Sequence, residues 1–213
     1  SINVSNPGNT FNATCNVTCS DGDFCMNTQV YIQQNTSSGN KWSNINASSG
    51  DLILEGSSNP QALGNINSTK LVNFTLKGNA VLADTNIRCN ASSDYSSRIS
   101  PETATISIND NIAPNVTLVR PLNNSVESPV PFVKFEYIPF DNYKLRNCSL
   151  YANFTGVFSE NLTNTSTLIS AQVNNFTVSN ISVGNYVWNV LCLDEANNSN
   201  FSISNFTLLI TGD

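Results

Sequence analysis

The chain has 213 residues, of which 39% are apolar and only 11% charged, with a net charge of −6 and no histidine. Nine basic residues without a Lys/Arg cluster argue against nucleic acid and anionic membranes as partners, because both attract concentrated positive charge. The lack of histidine removes the commonest general base and metal ligand, and no apolar run reaches the roughly 18 residues of a membrane span.

Residues in the first half alternate between apolar and polar, as they do in half-buried strands. Phe11, Ala13, Cys15 and Val17 share one face, and Asn and Thr fill the other. The pattern predicts strands near 10–19, 27–34, 67–77, 84–92 and 103–108. No window of comparable length shows a helical stripe.

The second half shows the same alternation and predicts strands near 115–119, 132–138, 146–154, 167–178, 184–193 and 202–210. The segment NDNIAPN, residues 109–115, separates the two halves. Each half has about the size of one immunoglobulin-type sandwich. We therefore expect an all-β chain of two tandem immunoglobulin-like β-sandwich domains, 1–110 with an N-terminal strand or arm, and 111–213.

The six cysteines are expected to form disulfides. Their predicted pairs are Cys15–Cys89 between the two sheets, Cys19–Cys25 across the turn SDGDF, and Cys148–Cys192 in the second domain. A zinc site of the first four cysteines is the alternative, but it lacks two close Cys-x₂₋₄-Cys pairs. A redox dithiol normally uses Cys-x-x-Cys, which does not occur.

Asn-Xaa-Ser/Thr triplets are far more frequent than composition explains. Random order of the 36 Asn and 46 Ser plus Thr residues gives roughly 8, whereas 19 occur. Strand alternation accounts for part of the excess, because Asn and Thr two residues apart share a face. We expect covalent N-glycans at many of these residues: Asn3, Asn12, Asn16, Asn35, Asn46, Asn67, Asn73, Asn90, Asn115, Asn123, Asn147, Asn153, Asn161, Asn164, Asn175, Asn180, Asn197, Asn200 and Asn205.

Two segments resemble tandem immunoglobulin-like or fibronectin-III-like domains of archaeal N-glycosylated cell-surface proteins of filament, pilus or S-layer type. They are FNATCNVTCSDGDFCMNTQVYIQ in the first half, and VKFEYIPFDNYKLRNCSLYANF with NYVWNVLCLDEANNSNFS in the second. The resemblance implies a surface location. It places Asn197 where such domains carry Gly in a turn, and Asn tolerates positive φ there.

No catalytic residues are predicted, because no histidine and no nucleophile motif is present. The acidic residues Asp21, Asp23, Asp110, Asp194 and Glu195 are typical of turns. No cofactor is expected, and one option stays open: Asp110, Asp141 and Asp194 could converge on Ca²⁺. Trp188 and Trp42 are both predicted to be core residues, Trp188 on a central strand and Trp42 at the start of a loop.

These features predict a non-enzymatic extracellular subunit of a cell-surface filament, pilus or lattice. The partners would be further copies of the chain, joined head to tail by a donated end strand, SINVS or TLLITG. The alternative is a binding ectodomain, such as part of an adhesin or receptor.

Overall fold

The chain forms two compact units, Ser1–Asp110 and Asn111–Asp213, which meet at the boundary that the sequence analysis placed. The structure is a computed structural model that describes residues 2–19, 24–36, 41–94, 102–128, 132–164 and 168–212. Within these ranges every regular element is a β-strand, so the chain is all-β.

The first unit contains nine described strands in two sheets. They are β1 (Ile2–Val4), β2 (Thr10–Val17), β3 (Cys25–Thr36), β4 (Lys41–Asn44), β5 (Leu52–Glu55), β6 (Gln61–Ile66), β7 (Lys70–Gly78), β8 (Leu82–Ser92) and β9 (Thr103–Ile108). The larger sheet has the order β1-β9-β8-β3-β4, with β6 also paired to β3, and the smaller sheet has the order β2-β7-β5.

The second unit also contains nine described strands. They are β10 (Asn115–Arg120), β11 (Ser125–Glu127), β12 (Phe132–Phe140), β13 (Leu145–Ala152), β14 (Ser159–Asn164), β15 (Asn174–Ser179), β16 (Gly184–Asp194), β17 (Ser199–Phe201) and β18 (Phe206–Ile210). One sheet has the order β11-β18-β16-β13-β14, with β17 on β16, and the other has the order β10-β12-β15. Both units are immunoglobulin-like β-sandwiches.

The larger sheets of the two units follow the same plan. In each, the last strand of the unit pairs in parallel with a short early strand, β1 with β9 and β11 with β18. The last strand also pairs with the penultimate long strand, β8 or β16, which carries a cysteine. The shared order supports the expectation of two related domains.

Trp188 is the centre of the second unit's core, as the sequence predicted. Its side chain is fully buried, and its ring lies 5.0 Å from Phe135 and 5.6 Å from Phe206 in edge-on contacts. Such aromatic pairs add to the stabilisation that apolar burial provides. Inward side chains of both sheets, including Tyr137, Leu150 and Leu208, complete this core.

The first unit has a separate core without tryptophan. Its largest fully buried side chains include Phe74, Ile32 and Leu76, which come from both sheets. Trp42 is only half-buried on β4, and the Arg88 guanidinium lies 4.3 Å from its ring centroid. Trp42 is therefore a partner of Arg88 at the periphery and not a core residue.

Every predicted strand is present, but two are shorter than expected: the strand at 202–210 is reduced to Phe206–Ile210, and the strand at 167–178 starts late. Only Asn174–Ser179 forms β15. Ala171 has φ 59°, and its N–H bonds to the Pro139 carbonyl, so this segment turns before the strand begins. Residues 165–167 lie outside the described ranges.

The sequence analysis did not place the short strands β4, β5, β6, β11, β14 and β17. Most have few or no fully buried side chains, so alternation is weak in them. No described segment forms a helix that is long and apolar enough to cross a membrane.

We expect Trp188→Ala to lower the unfolding free energy of the second unit by about 3–5 kcal/mol, because it empties a fully buried site. Two-transition urea unfolding followed by intrinsic fluorescence and circular dichroism measures this change. The matched variant Trp42→Ala removes a half-exposed ring and should cost the first unit about 1 kcal/mol. Equal costs for the two variants would contradict the assignment of Trp188 as the core residue.

Candidate functional site

The structure joins the same three cysteine pairs that the sequence analysis expected, Cys15–Cys89, Cys19–Cys25 and Cys148–Cys192. No cysteine in the structure is free. A zinc site of these cysteines is inconsistent with this arrangement, because zinc is bound by free thiolates. Disulfides of this density are typical of oxidising compartments.

The two long-range disulfides connect different parts of their sandwiches. Cys15 lies on β2 in the smaller sheet and Cys89 on β8 in the larger sheet, so this bond crosses between the sheets. Cys148 and Cys192 lie directly opposite each other on β13 and β16 within one sheet. The first bond ties two layers together, and the second links two neighbouring strands.

None of the 19 acceptor-triplet Asn residues is buried. Fourteen are exposed, and five are half-buried: Asn35, Asn90, Asn147, Asn153 and Asn164. The two buried Asn residues of the described chain, Asn174 and Asn189, both lie outside the triplets. The triplets therefore mark the solvent side of the sandwiches, where a glycan can be attached.

Several triplet Asn residues also make side-chain hydrogen bonds. Six triplet Asn residues accept hydrogen bonds through Oδ1: Asn12, Asn73, Asn123, Asn153, Asn197 and Asn205. Oligosaccharyl transfer modifies the amide nitrogen, Nδ2, so these contacts orient the side chain without using the atom that would carry the glycan.

Asn residues outside the triplets use Nδ2 to hold the backbone. Asn59 donates to the Ile32 and Ile45 carbonyls, and Asn174 donates to Ile169 and Gln172. Asn189 donates to the Ser202 carbonyl and to Asn205 Oδ1. These structural amides were not singled out from the sequence, although their position outside a triplet was a visible signal.

Two triplets on neighbouring strands bond reciprocally across the outer face of the smaller first-unit sheet. Asn12 lies opposite Thr75, and Thr14 lies opposite Asn73. Thr14 Oγ1 donates to Asn73 Oδ1 at 2.7 Å, and Thr75 Oγ1 donates to Asn12 Oδ1 at 3.0 Å. Each hydroxyl needed by one triplet therefore orients the asparagine of the other, and both amide nitrogens remain on the exposed face.

Of the acidic residues expected in turns, Asp194 ends β16 and Glu195 begins the turn that follows it. Asp194 is fully buried, and its carboxylate accepts hydrogen bonds at 2.8 Å from the Asn198 backbone N–H and from Asn198 Nδ2. Ligand oxygens of Asp141 and Asp194 lie within 4.8 Å of each other. The calcium hypothesis also needs Asp110, which belongs to the first unit, and it stays a prediction. Asp21 and Asp23 lie outside the described residues.

The turn after β16 places Asn197 in a backbone conformation that usually favours glycine. Asn197 has φ 69°, in the left-handed region that Asn tolerates better than most side chains. Its Oδ1 accepts a hydrogen bond from Arg146 at 2.6 Å. The turn therefore uses a residue that also begins an acceptor triplet.

Two tyrosines have raised pKa values. Burial raises the pKa of Tyr137 to about 12, against a lowering hydrogen bond from Asn164. Burial also raises the pKa of Tyr151, and the neighbouring Glu160 carboxylate adds to this. Both shifts move the pKa further above neutral pH, so the two phenols stay protonated and uncharged under physiological conditions.

No protein-family model and no characterised protein sequence matches this chain. Several solved structures are similar over nearly its whole length. The fibronectin(III)-like modules of Clostridium thermocellum CbhA share 12% identity at TM-score 0.39, covering 98% of this chain and 91% of that one. The titin domains Z1Z2 in complex with telethonin share 14% at TM-score 0.43, covering 100% and 93%.

The N-terminal four immunoglobulin domains of Dscam1 isoform 6.9 share 10% identity with this chain at TM-score 0.44, covering 99% of this chain and 43% of that one. At such values the fold assignment rests on the strand order within each unit, not on these overall superpositions.

Thr14→Val is expected to abolish glycan attachment at Asn12 and leave Asn73 occupied, because it removes only the hydroxyl of the first triplet. Site-resolved glycopeptide mass spectrometry of protein made in its native cells measures both sites. Thr10→Val is the matched control, since Thr10 lies exposed on the same strand outside any triplet. A glycan still present at Asn12 in the Thr14→Val protein would contradict the assignment.

Proposed function

We propose that this chain is a non-enzymatic structural subunit of an N-glycosylated extracellular cell-surface assembly, a filament, pilus or lattice. The observation that supports this most directly is the sorting of its asparagines. No triplet asparagine is buried, and six of them accept hydrogen bonds through Oδ1, whereas the two buried asparagines of the described chain, Asn174 and Asn189, lie outside triplets. Three disulfides and the low charge content fit the same environment.

The proposed partners are further copies of the chain, joined head to tail through strand addition. The two end strands named from the sequence are each paired in their own sheet. β1 pairs with β9, and β18 pairs with both β16 and β11. A donated end strand therefore has to leave its own sheet first, or the contact has to use an edge that is already open.

Strand addition in one direction does not close on itself, so it produces a filament rather than a ring of fixed size. The resemblance of the sequence to archaeal surface domains supports a surface location. A binding ectodomain, such as part of an adhesin, is the second candidate, because immunoglobulin-like sandwiches serve both roles.

At neutral pH the glycosylated chain is expected to form large assemblies without any added ligand. Sedimentation velocity over a concentration series, combined with negative-stain images, measures this. A dispersed monomer at high concentration would contradict the assembly proposal and favour the binding ectodomain.

Deleting residues 1–6 tests the N-terminal strand as the donor. This deletion should abolish assembly while circular dichroism and the unfolding transition of the second unit stay unchanged, because β1 pairs only with β9 among the described strands. Assembly at the wild-type level after deletion would exclude β1 as the donor.

A further inference from the structure

A groove opens along one side of the first unit, between the edges of its two sheets. It encloses about 500 Å³ and is lined by β2 on one side and by β8 and β9 on the other. Its apolar lining includes Ala13, Val17, Ile87, Cys89 and Ala104. Several of these side chains are only partly buried although they pack against the core.

The groove exposes part of a disulfide that links the two sheets. Cys15 is completely buried, but its partner Cys89 is half-exposed and lines the groove. In the second unit both disulfide cysteines, Cys148 and Cys192, are completely buried. Half-exposed core residues of this kind indicate that, in the described part of the first sandwich, no element covers this side.

The second unit shows which element covers the equivalent side there. β2 and β12 are equivalent, because each follows the short parallel strand and pairs with the strand that precedes the penultimate long strand. β12 lies in the middle of its sheet and has β10 on its other side. β2 pairs only with β7, so within the described part of the first unit no strand occupies the position of β10.

The sequence of β10 also indicates which side chains fit such a position. Its sequence is NVTLVR, with Val116 and Leu118 buried and Asn115 and Thr117 exposed. An element that covers the groove therefore needs apolar side chains at alternate positions facing inward and polar ones facing out.

The open edge of β2 presents a row of backbone groups for a further strand. Gly78 N–H donates to the Asn9 carbonyl and the Gly78 carbonyl accepts from Gly8 N–H, so Gly78 directs both its backbone groups at the start of β2. The β2–β7 register then runs without a shift, and bonded pairs alternate with non-bonded ones. Ala13 and Cys15 thus bond to β7, whereas Asn12, Thr14 and Asn16 direct their N–H and carbonyl groups to the open edge.

The opposite wall of the groove offers a second unpaired edge. The parallel ladder of β1 on β9 begins at Ile2 opposite Ile106. Thr103, Ala104 and Thr105 of β9 lie beyond it and have no β1 partner among the described residues. A strand in the groove would therefore continue a ladder that already exists.

We infer that this groove binds, in trans, one extended peptide segment of alternating apolar and polar residues, which adds to the β2 edge as β10 adds to β12. Strand addition of this type takes its affinity from backbone hydrogen bonds and its specificity from pockets for alternate side chains. The inference rests on the proposed function, and it supplies the acceptor site for contacts within an assembly.

The probe is a fluorescent peptide of sequence NVTLVR with blocked ends, added to dispersed chain at low concentration and followed by fluorescence anisotropy. We expect saturable binding, and at least about tenfold weaker binding when asparagine replaces the peptide's inward Val and Leu. The second unit does not compete, because β10 already occupies its position. Lack of saturable binding, or equal binding of the two peptides, would overturn the inference.

Thr14→Pro removes one outward N–H without touching the β2–β7 bonds, and proline is tolerated on edge strands. It should weaken peptide binding at least about tenfold relative to Thr14→Val, which loses the same hydroxyl and the same triplet but keeps the N–H. Equal affinities in these two variants would overturn the inference.

Amide hydrogen exchange keeps the test decisive if the proline variant does not fold. In the wild-type chain, peptide should slow exchange at Asn12, Thr14 and Asn16 and leave Ala13 and Cys15 unchanged. Unchanged exchange at the first three amides would overturn the inference. These measurements use the dispersed chain, so they test peptide binding independently of self-assembly. Peptide binding can be observed when the chain does not assemble, and assembly can be observed when the peptide does not bind.

Discussion

The alternation of buried apolar and exposed uncharged polar side chains along short strands is the constraint on which this structure depends. With only 11% charged residues, the solvent faces of the sheets must be made of Asn, Ser and Thr. An inward apolar residue between an outward Asn and an outward Thr is at once a half-buried strand and an acceptor triplet. The same three-residue pattern thus supports the sandwich and places the residues that can carry glycans.

The two sandwiches share this pattern but differ in how completely strands cover their edges. The second unit encloses its cysteines completely and pairs β12 on both sides. The first unit ties its sheets together with Cys15–Cys89, and among its described strands β2 is paired on one side only. A disulfide between the sheets can hold a sandwich together while one edge stays open, because it replaces part of the cohesion that a covering strand provides. An open edge is a hazard in a free protein, but it is also the natural acceptor in an assembly.

Much of this could be predicted from the sequence, because the strongest signals were local. Alternation located the long strands, and the inward positions of Cys15, Cys148 and Cys192 fitted their disulfide pairs. The open groove could not be predicted, since it depends on which strand pairs with β2, and pairing between distant strands leaves no local pattern. The roles of Asn59, Asn174 and Asn189 left no signal beyond their place outside the triplets, because their amides meet their carbonyl partners only after folding.

The central claim is that the uncharged outer faces are covered by N-linked glycans in an extracellular setting. Glycopeptide mass spectrometry of the natively produced protein, covering all 19 triplets, tests this most directly. The account predicts glycans at many exposed triplets on both units and none at Asn174 or Asn189, with all six cysteines in disulfides. Unmodified triplets throughout, or free thiols in the natively produced protein, would contradict it.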